Sequence, residues 1–159
     1  MRKSIRALVA AAIVALILPA AVLAHWPVAN RYSWISQGYW SGHKAYDIAS
    51  PLGTRIVPVR SGRVVFAGYR SDCGGRQVWI NNGNGLYTAY YHMSQIDSWK
   101  GEWVTDQTTT IGRVGESGCA TGPHLHVEVW RGYPWASGSY RINPWYYIDS
   151  GYWLPYRYR

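Results

Sequence analysis

The chain has 159 residues, with 16 Lys plus Arg against 8 Asp plus Glu, a length that suits one domain and excludes a multidomain assembly. Hydrophobic residues make up 48% and charged residues 15%, which excludes an intrinsically disordered chain. The 17 Gly, 14 Tyr and 10 Trp favour strands and turns over a helical bundle and predict a mainly β fold.

Residues 1–24 read as an export signal: Arg2, Lys3 and Arg6 precede an apolar run, Pro19 breaks it, and Val22 and Ala24 occupy the −3 and −1 positions for cleavage before His25. The run of about 18 apolar residues is also long enough to act as an uncleaved membrane anchor. Either outcome places the body, residues 25–159, outside the cytoplasm, secreted or in the cell envelope. Loss of the three leading cations takes the formal charge from +8 to +5. That residual charge suits either a solvated surface or attraction to anionic wall polymers. Nucleic acid is not an expected partner, because Arg55, Arg60, Arg63, Arg70 and Arg76 are scattered and form no basic helix.

His43 and Asp47, four residues apart, come to one side of the chain whether the segment is helical or extended. Next, Arg63–Ala67 is a β-branched strand bounded by Gly62 and Gly68. Gln77–Ile80 leads through an Asn/Gly-rich turn, residues 81–85, into Leu86–Tyr91, which predicts a hairpin. His92 follows directly. The run Gly115-Glu116-Ser117-Gly118 lacks the spacing of a nucleophile elbow, and neither a P-loop nor a dinucleotide fingerprint occurs. Leu125, Val127 and Val129 alternate with His124, His126, Glu128 and Trp130, the pattern of a half-buried strand with one apolar and one polar face. Residues two apart on a strand share a face, so His124 and His126 address one site. Imidazoles and one carboxylate are a usual zinc set; a catalytic zinc takes three such ligands, and this chain has imidazoles to spare.

Four stretches in order carry a resemblance: Gly42-His43-Lys44-Ala45-Tyr46-Asp47, Pro51-Leu52-Gly53-Thr54, Tyr91-His92-Met93-Ser94 and Thr121-Gly122-Pro123-His124-Leu125-His126. Together, over about residues 36–130, they resemble the M23, or lysostaphin-like (LytM-like), zinc metalloendopeptidases. With the strand patterning, the resemblance leads to the expectation of a single compact antiparallel β domain. The resemblance implies an exported enzyme that hydrolyses peptide bonds, with peptidoglycan cross-links or stems as substrate and one Zn²⁺ per chain. It implies that His43, Asp47 and His126 hold the metal while His92 and His124 remain unligated and act on the substrate. Some relatives place a transition-state tyrosine before the first ligand, and Tyr39 is the nearest residue to that place. Relatives that keep the fold as wall-binding or amidase-activating modules usually lose ligands or catalytic histidines; all five residues are present here. Two other departures concern Ala45, where many relatives have Gly and a left-handed backbone would be strained, and Gly75-Arg76, where relatives often have Gly-Asn.

Cys73 and Cys119 are the only two thiols, and export to an oxidising compartment favours a disulfide between them over two free thiols. Every aromatic residue lies after position 24. Such residues suit both core packing and a wet groove for peptide or sugar. The aromatic-rich extension 138–159 either packs on the sheet or binds wall polymer.

Overall fold

The computed structural model describes residues 26–148; the expected leader and residues 149–159 lie outside them. Eleven strands follow in chain order: β1 Trp34–Gln37, β2 Tyr46–Ala49, β3 Arg55–Ile56, β4 Gly62–Arg70, β5 Gly75–Gly83, β6 Leu86–Met93, β7 Gln95–Ile96, β8 Trp103–Val104, β9 Gly112–Arg113, β10 His124–Arg131 and β11 Tyr140–Ile142. All pair antiparallel. The larger sheet runs β1-β2-β10-β6-β5-β4-β8, and β11 takes the part of the β10 edge that β2 leaves open. A second sheet, β3-β9-β7, contributes Ile56 to the main core. The mainly β, antiparallel expectation is met; among the described residues the helix is one 3₁₀ turn, Pro144–Tyr146.

The expected hairpin forms with longer arms and a tighter turn. β5 continues to Gly83, leaving Asn84 and Gly85 to reverse the chain at φ 52° and 70°. Asn and Gly tolerate these values best, and the resulting turn matches the twist of the flanking strands.

On β10 the alternation holds, with Leu125, Val127 and Val129 fully buried. Their burial is worth about 1.5–3 kcal/mol each. The opposite face is not wholly polar and solvated, as alternation alone suggested: Glu128 is 2% and Trp130 4% exposed. Trp130 belongs to a second apolar cluster with Trp79, Ala89 and Tyr91, with Phe66 and Tyr87 against it, and Glu128 is hydrogen-bonded to Tyr91 and Trp130 of that cluster. The sheet thus has a continuous core on one face, and on the other an aromatic cover that leaves the His124–His126 end open.

Strand β6 departs from simple alternation at one point. Tyr90 and Met93 both enter the main core, although strict period two would send them to opposite faces. His92 makes up the difference: at φ 62° it is left-handed, and Tyr91 and His92 together oppose Gln77 of β5 in a bulge. Without the bulge His92 would share a face with Tyr90 and enter the core. With it, the imidazole lies beside His124 and His126, with ring centroids at 4.8 and 5.7 Å.

The Cys73–Cys119 disulfide is formed and joins the start of β5 to the loop before β10. Ala45 is fully buried, and its φ lies outside the left-handed region, so the strain conceivable there does not arise.

The bulge generates a stability test. A left-handed backbone costs a β-carbon-bearing residue roughly 1–2 kcal/mol. His92→Gly is therefore expected to unfold at higher urea than His92→Ala, by roughly 1 kcal/mol; equal midpoints would show that no strain resides at this position.

Candidate metal centre

Antiparallel register assembles the centre. β10 lies between β2 and β6, with His126 opposite Asp47 on one side and Tyr91 on the other. His43 is delivered by a tight turn in which the Trp40 and His43 backbones exchange hydrogen bonds of 2.8 and 3.1 Å. Gly42 lets the Trp40 indole lie against that turn, since a β-carbon there would fall 2.3 Å from the ring and turn it outward.

One donor atom from each of His43, Asp47 and His126 lies within 4.8 Å of the others. His126 Nδ1 is 2.7 Å from Asp47 Oδ1, and His43 Nε2 is 3.2 Å from Asp47 Oδ2. His124 Nε2 stands 3.8 Å from Asp47 Oδ1.

The second nitrogen of each ring decides what the first can do. His43 Nδ1 lies 2.9 Å from the Gly38 carbonyl, His92 Nδ1 2.8 Å from that of Ser117, and His124 Nδ1 2.9 Å from that of Gly122. A carbonyl oxygen only accepts, so each Nδ1 carries the hydrogen and each neutral ring keeps a lone pair on Nε2. His126 is reversed: its Nε2 faces Glu128 Oε1 at 3.4 Å and its Nδ1 faces Asp47.

These groups fit a divalent cation. His43 Nε2 is buried without a hydrogen-bond partner, a condition that normally costs free energy and that a metal ion would relieve. Two imidazoles and a carboxylate are the donor chemistry of a three-ligand zinc site. Burial opposes the ionised form of Asp47, but its hydrogen bond to His126 and the charges of His126, His43 and His124 outweigh this and hold its carboxyl below the usual value. Burial, with His124 and His126 adding to it, holds His92 below the ordinary imidazole value, which favours a neutral ring with an available lone pair.

All five residues singled out from the sequence, His43, Asp47, His92, His124 and His126, thus converge on one place. Tyr39 does not contribute its hydroxyl to them: the phenol donates to the Arg141 carbonyl at 3.3 Å. Arg76 is exposed at the start of β5, its backbone N–H donating to Ser117 Oγ at 2.9 Å. Sequence reasoning missed the carbonyl anchors and Glu128. The signal for the Ser117 anchor is its glycine flanks. A β-carbon at Gly115 would lie 2.1 Å from Ser94 N, and one at Gly118, where φ is +80°, would lie 2.1 Å from the Cys73 carbonyl oxygen.

Known proteins resemble this chain in sequence and fold. The chain is 39% identical over 87 residues to peptidoglycan DD-endopeptidase ShyA of Vibrio cholerae, covering 55% of this chain and 20% of that protein. It is 37% identical over 90 residues to DD-carboxypeptidase/endopeptidase Mpg of Neisseria meningitidis, covering 57% and 20%. It therefore spans about a fifth of the length of these relatives. Among solved structures, the catalytic domain of the prophage-encoded M23 protein EnpA from Enterococcus faecalis superposes with a TM-score of 0.66 at 30% identity, covering 75% of this chain and 94% of that one. Lysostaphin from Staphylococcus simulans gives 0.70 at 25% identity, covering 82% and 55%. The profile described as Peptidase family M23 matches residues 41–144, a span that holds both elements of the donor cluster and both neighbouring imidazoles, and the chain belongs to that family.

Proposed function

We propose that the chain is an exported zinc metalloendopeptidase, its catalytic domain formed by residues 25–159 after a removable leader, that hydrolyses peptide bonds in peptidoglycan cross-links or stems. The carrying observation is the convergence of a three-donor cluster with two further imidazoles, His124 with Nε2 3.8 Å from Asp47 Oδ1 and His92 with its ring centroid 5.7 Å from that of His126. The substrate class is supported by relatives named as peptidoglycan DD-endopeptidases. His43, Asp47 and His126 would hold one Zn²⁺. When bound, that ion supplies Lewis acidity, lowering the pKa of water and polarising a peptide carbonyl. His92 and His124 do the proton work. One Nε2 lone pair takes a proton from the attacking water, and an imidazole protonated at Nε2 stabilises the oxyanion or returns that proton to the leaving amine. The carbonyls of Ser117 and Gly122 hold both rings through Nδ1.

Zinc-loaded protein incubated with defined muropeptides is expected to yield products cut at a peptide bond, identified by mass spectrometry and abolished by chelation. Intact muropeptides beside fully retained zinc would instead support a wall-binding or amidase-activating module.

The residue roles separate by substitution. His43→Ala, Asp47→Ala and His126→Ala are each expected to lose zinc and activity together, with metal content read by elemental analysis. His92→Ala and His124→Ala should retain zinc while turnover drops by about 10² or more. Loss of zinc from His124→Ala with retention in His126→Ala would reverse the roles of that pair.

In the metal-free chain a proton on His126 stands where the cation would sit. Burial opposes that charge, yet the hydrogen bonds to Asp47 and Glu128 outweigh it and raise the ring from 6.5 to about 9. A folded value above the unfolded one means that the stabilisation is fully present below about pH 6.5 and is lost as pH rises through about 9. Chelator-treated protein is expected to lose thermal stability from pH 7 to 9, and His126→Ala to flatten that slope; an unchanged slope would exclude His126 as its source.

A further inference from the structure

Outside the donor cluster, the carboxylate of Glu128, 2% exposed and two residues beyond His126 on β10, is a buried group that meets four hydrogen-bond donors among the described residues. Its Oε1 accepts from Arg141 Nη1 at 2.8 Å and from His126 Nε2 at 3.4 Å. Its Oε2 accepts from the Tyr91 hydroxyl at 2.6 Å and from Trp130 Nε1 at 2.8 Å. Four donors meet the four lone-pair positions of an ionised carboxylate, so the group is saturated and its plane is fixed.

We propose that Glu128, clamped by Arg141, Tyr91 and Trp130, is the positioning residue for His126: it holds the imidazole in the tautomer and orientation that turn Nδ1 towards Asp47 and the metal. The proposal rests on the metal-centre reading above. Three other imidazoles at the site are held through Nδ1 by backbone carbonyls, which fix a ring without adding charge. His126 alone among these four is held through Nε2, and by a carboxylate. That partner reverses the tautomer, so that the nitrogen presented is the one nearer the backbone. It also raises the ring's basicity as a ligand, as carboxylates behind metal-bound histidines do.

A buried carboxylate needs counter-charge, and the fold supplies it from a strand beyond the histidine motifs. Arg141 on β11 reaches back to Glu128, its guanidinium 5.4 Å from the Trp130 ring and 5.5 Å from that of Trp135. The Tyr39 hydroxyl bonds the Arg141 carbonyl, which ties this strand to the segment before His43. Tyr91 touches both parts of the arrangement, its hydroxyl on Glu128 and its ring edge-on to His126 with centroids 5.3 Å apart. A purely structural Glu128–Arg141 ion pair would stabilise the sheet and leave the metal site unaffected. A positioning residue must alter the metal's own properties.

The test uses the full chain, stripped of metal and titrated with Zn²⁺ against a fluorescent chelator, and with Co²⁺ to read ligand geometry in the visible spectrum. Glu128→Gln is expected to weaken zinc binding by about 10–100-fold and to shift the cobalt bands. At saturating zinc, kcat is expected to fall with KM nearly unchanged. Tyr91→Phe removes one donor, keeps the carboxylate and avoids an unpaired charge; it should weaken zinc binding about threefold to tenfold. Should Glu128→Gln fail to fold, Tyr91→Phe decides. Phe66→Leu, in the same aromatic cluster and away from Glu128, is the structural control, expected to lower thermal stability with zinc affinity and cobalt bands unchanged. Wild-type affinity and spectra in both Glu128→Gln and Tyr91→Phe, or in Tyr91→Phe alone where Glu128→Gln does not fold, would overturn the positioning role whatever their thermal stability. Absence of zinc binding by the unaltered chain would overturn the metal-centre reading and this proposal with it, an outcome distinct from the first.

Discussion

Strand β10 is hydrogen-bonded along both edges, and the site exists only at the register that sets His126 opposite Asp47 and Tyr91. A side-chain period of two makes this register an all-or-none choice. A slip of one residue would turn His124 and His126 into the core and expose Leu125, Val127 and Val129. Those three residues, fully buried, supply the free energy that forbids the slip. The apolar face of the strand thereby fixes the chemistry of the other face, and no ligand is needed to hold the two histidines in place.

The second constraint is electrostatic. Asp47 and Glu128 flank His126 from opposite sides, one on each ring nitrogen. Two carboxylates about one imidazole make a locus that demands positive charge, met by a proton when no metal is bound. Arg141 neutralises the buried outer carboxylate, which leaves the inner one to face the open end of the sheet. The aromatic cover formed by Trp79, Tyr91 and Trp130 shields the Glu128 carboxylate, 2% exposed, and strengthens its hydrogen bonds, while the Arg141 side chain stays 31% exposed. Metal chemistry at the open end and dense packing behind it are two aspects of one arrangement.

The residues that sequence could place were those whose spacing matches a backbone period. The 124–130 alternation gave the strand, its buried face and the pairing of His124 with His126. The Asn/Gly-rich run gave the hairpin, and the ordered motifs gave the family. What escaped was set by tertiary geometry. The bulge at His92 depends on a left-handed backbone that a histidine adopts only under constraint from its neighbours, and nothing in the local sequence announces it. Glu128 sat on a face that reads as polar, and its burial depends on Trp79 and Tyr91, many residues away, joining the neighbouring Trp130 over it. Carbonyl anchors such as Gly38, Ser117 and Gly122 are backbone groups and carry no residue signature, although glycines around Ser117 mark the close approach. Tyr39, the nearest residue to the place where some relatives have a transition-state tyrosine, joins β11 through its hydroxyl to the chain ahead of His43, a contact no local pattern encodes.

The Cys73–Cys119 bridge divides the centre topologically. His92 lies inside the covalent loop it closes, across a separation of 46 residues, whereas His43, Asp47, His124 and His126 lie outside. Within that loop the turns on either side of β8 leave Lys100, Gly101, Gln107 and Thr108 exposed, the kind of surface stretch at which proteases cut. A single backbone cut anywhere from residue 74 to 118 puts His43 and Asp47 on one fragment and His124 and His126 on the other, and the bridge keeps the two fragments joined through sulfur. In surroundings rich in other hydrolases, a nicked chain thus retains every group of its centre in one molecule for as long as the bridge stays oxidised.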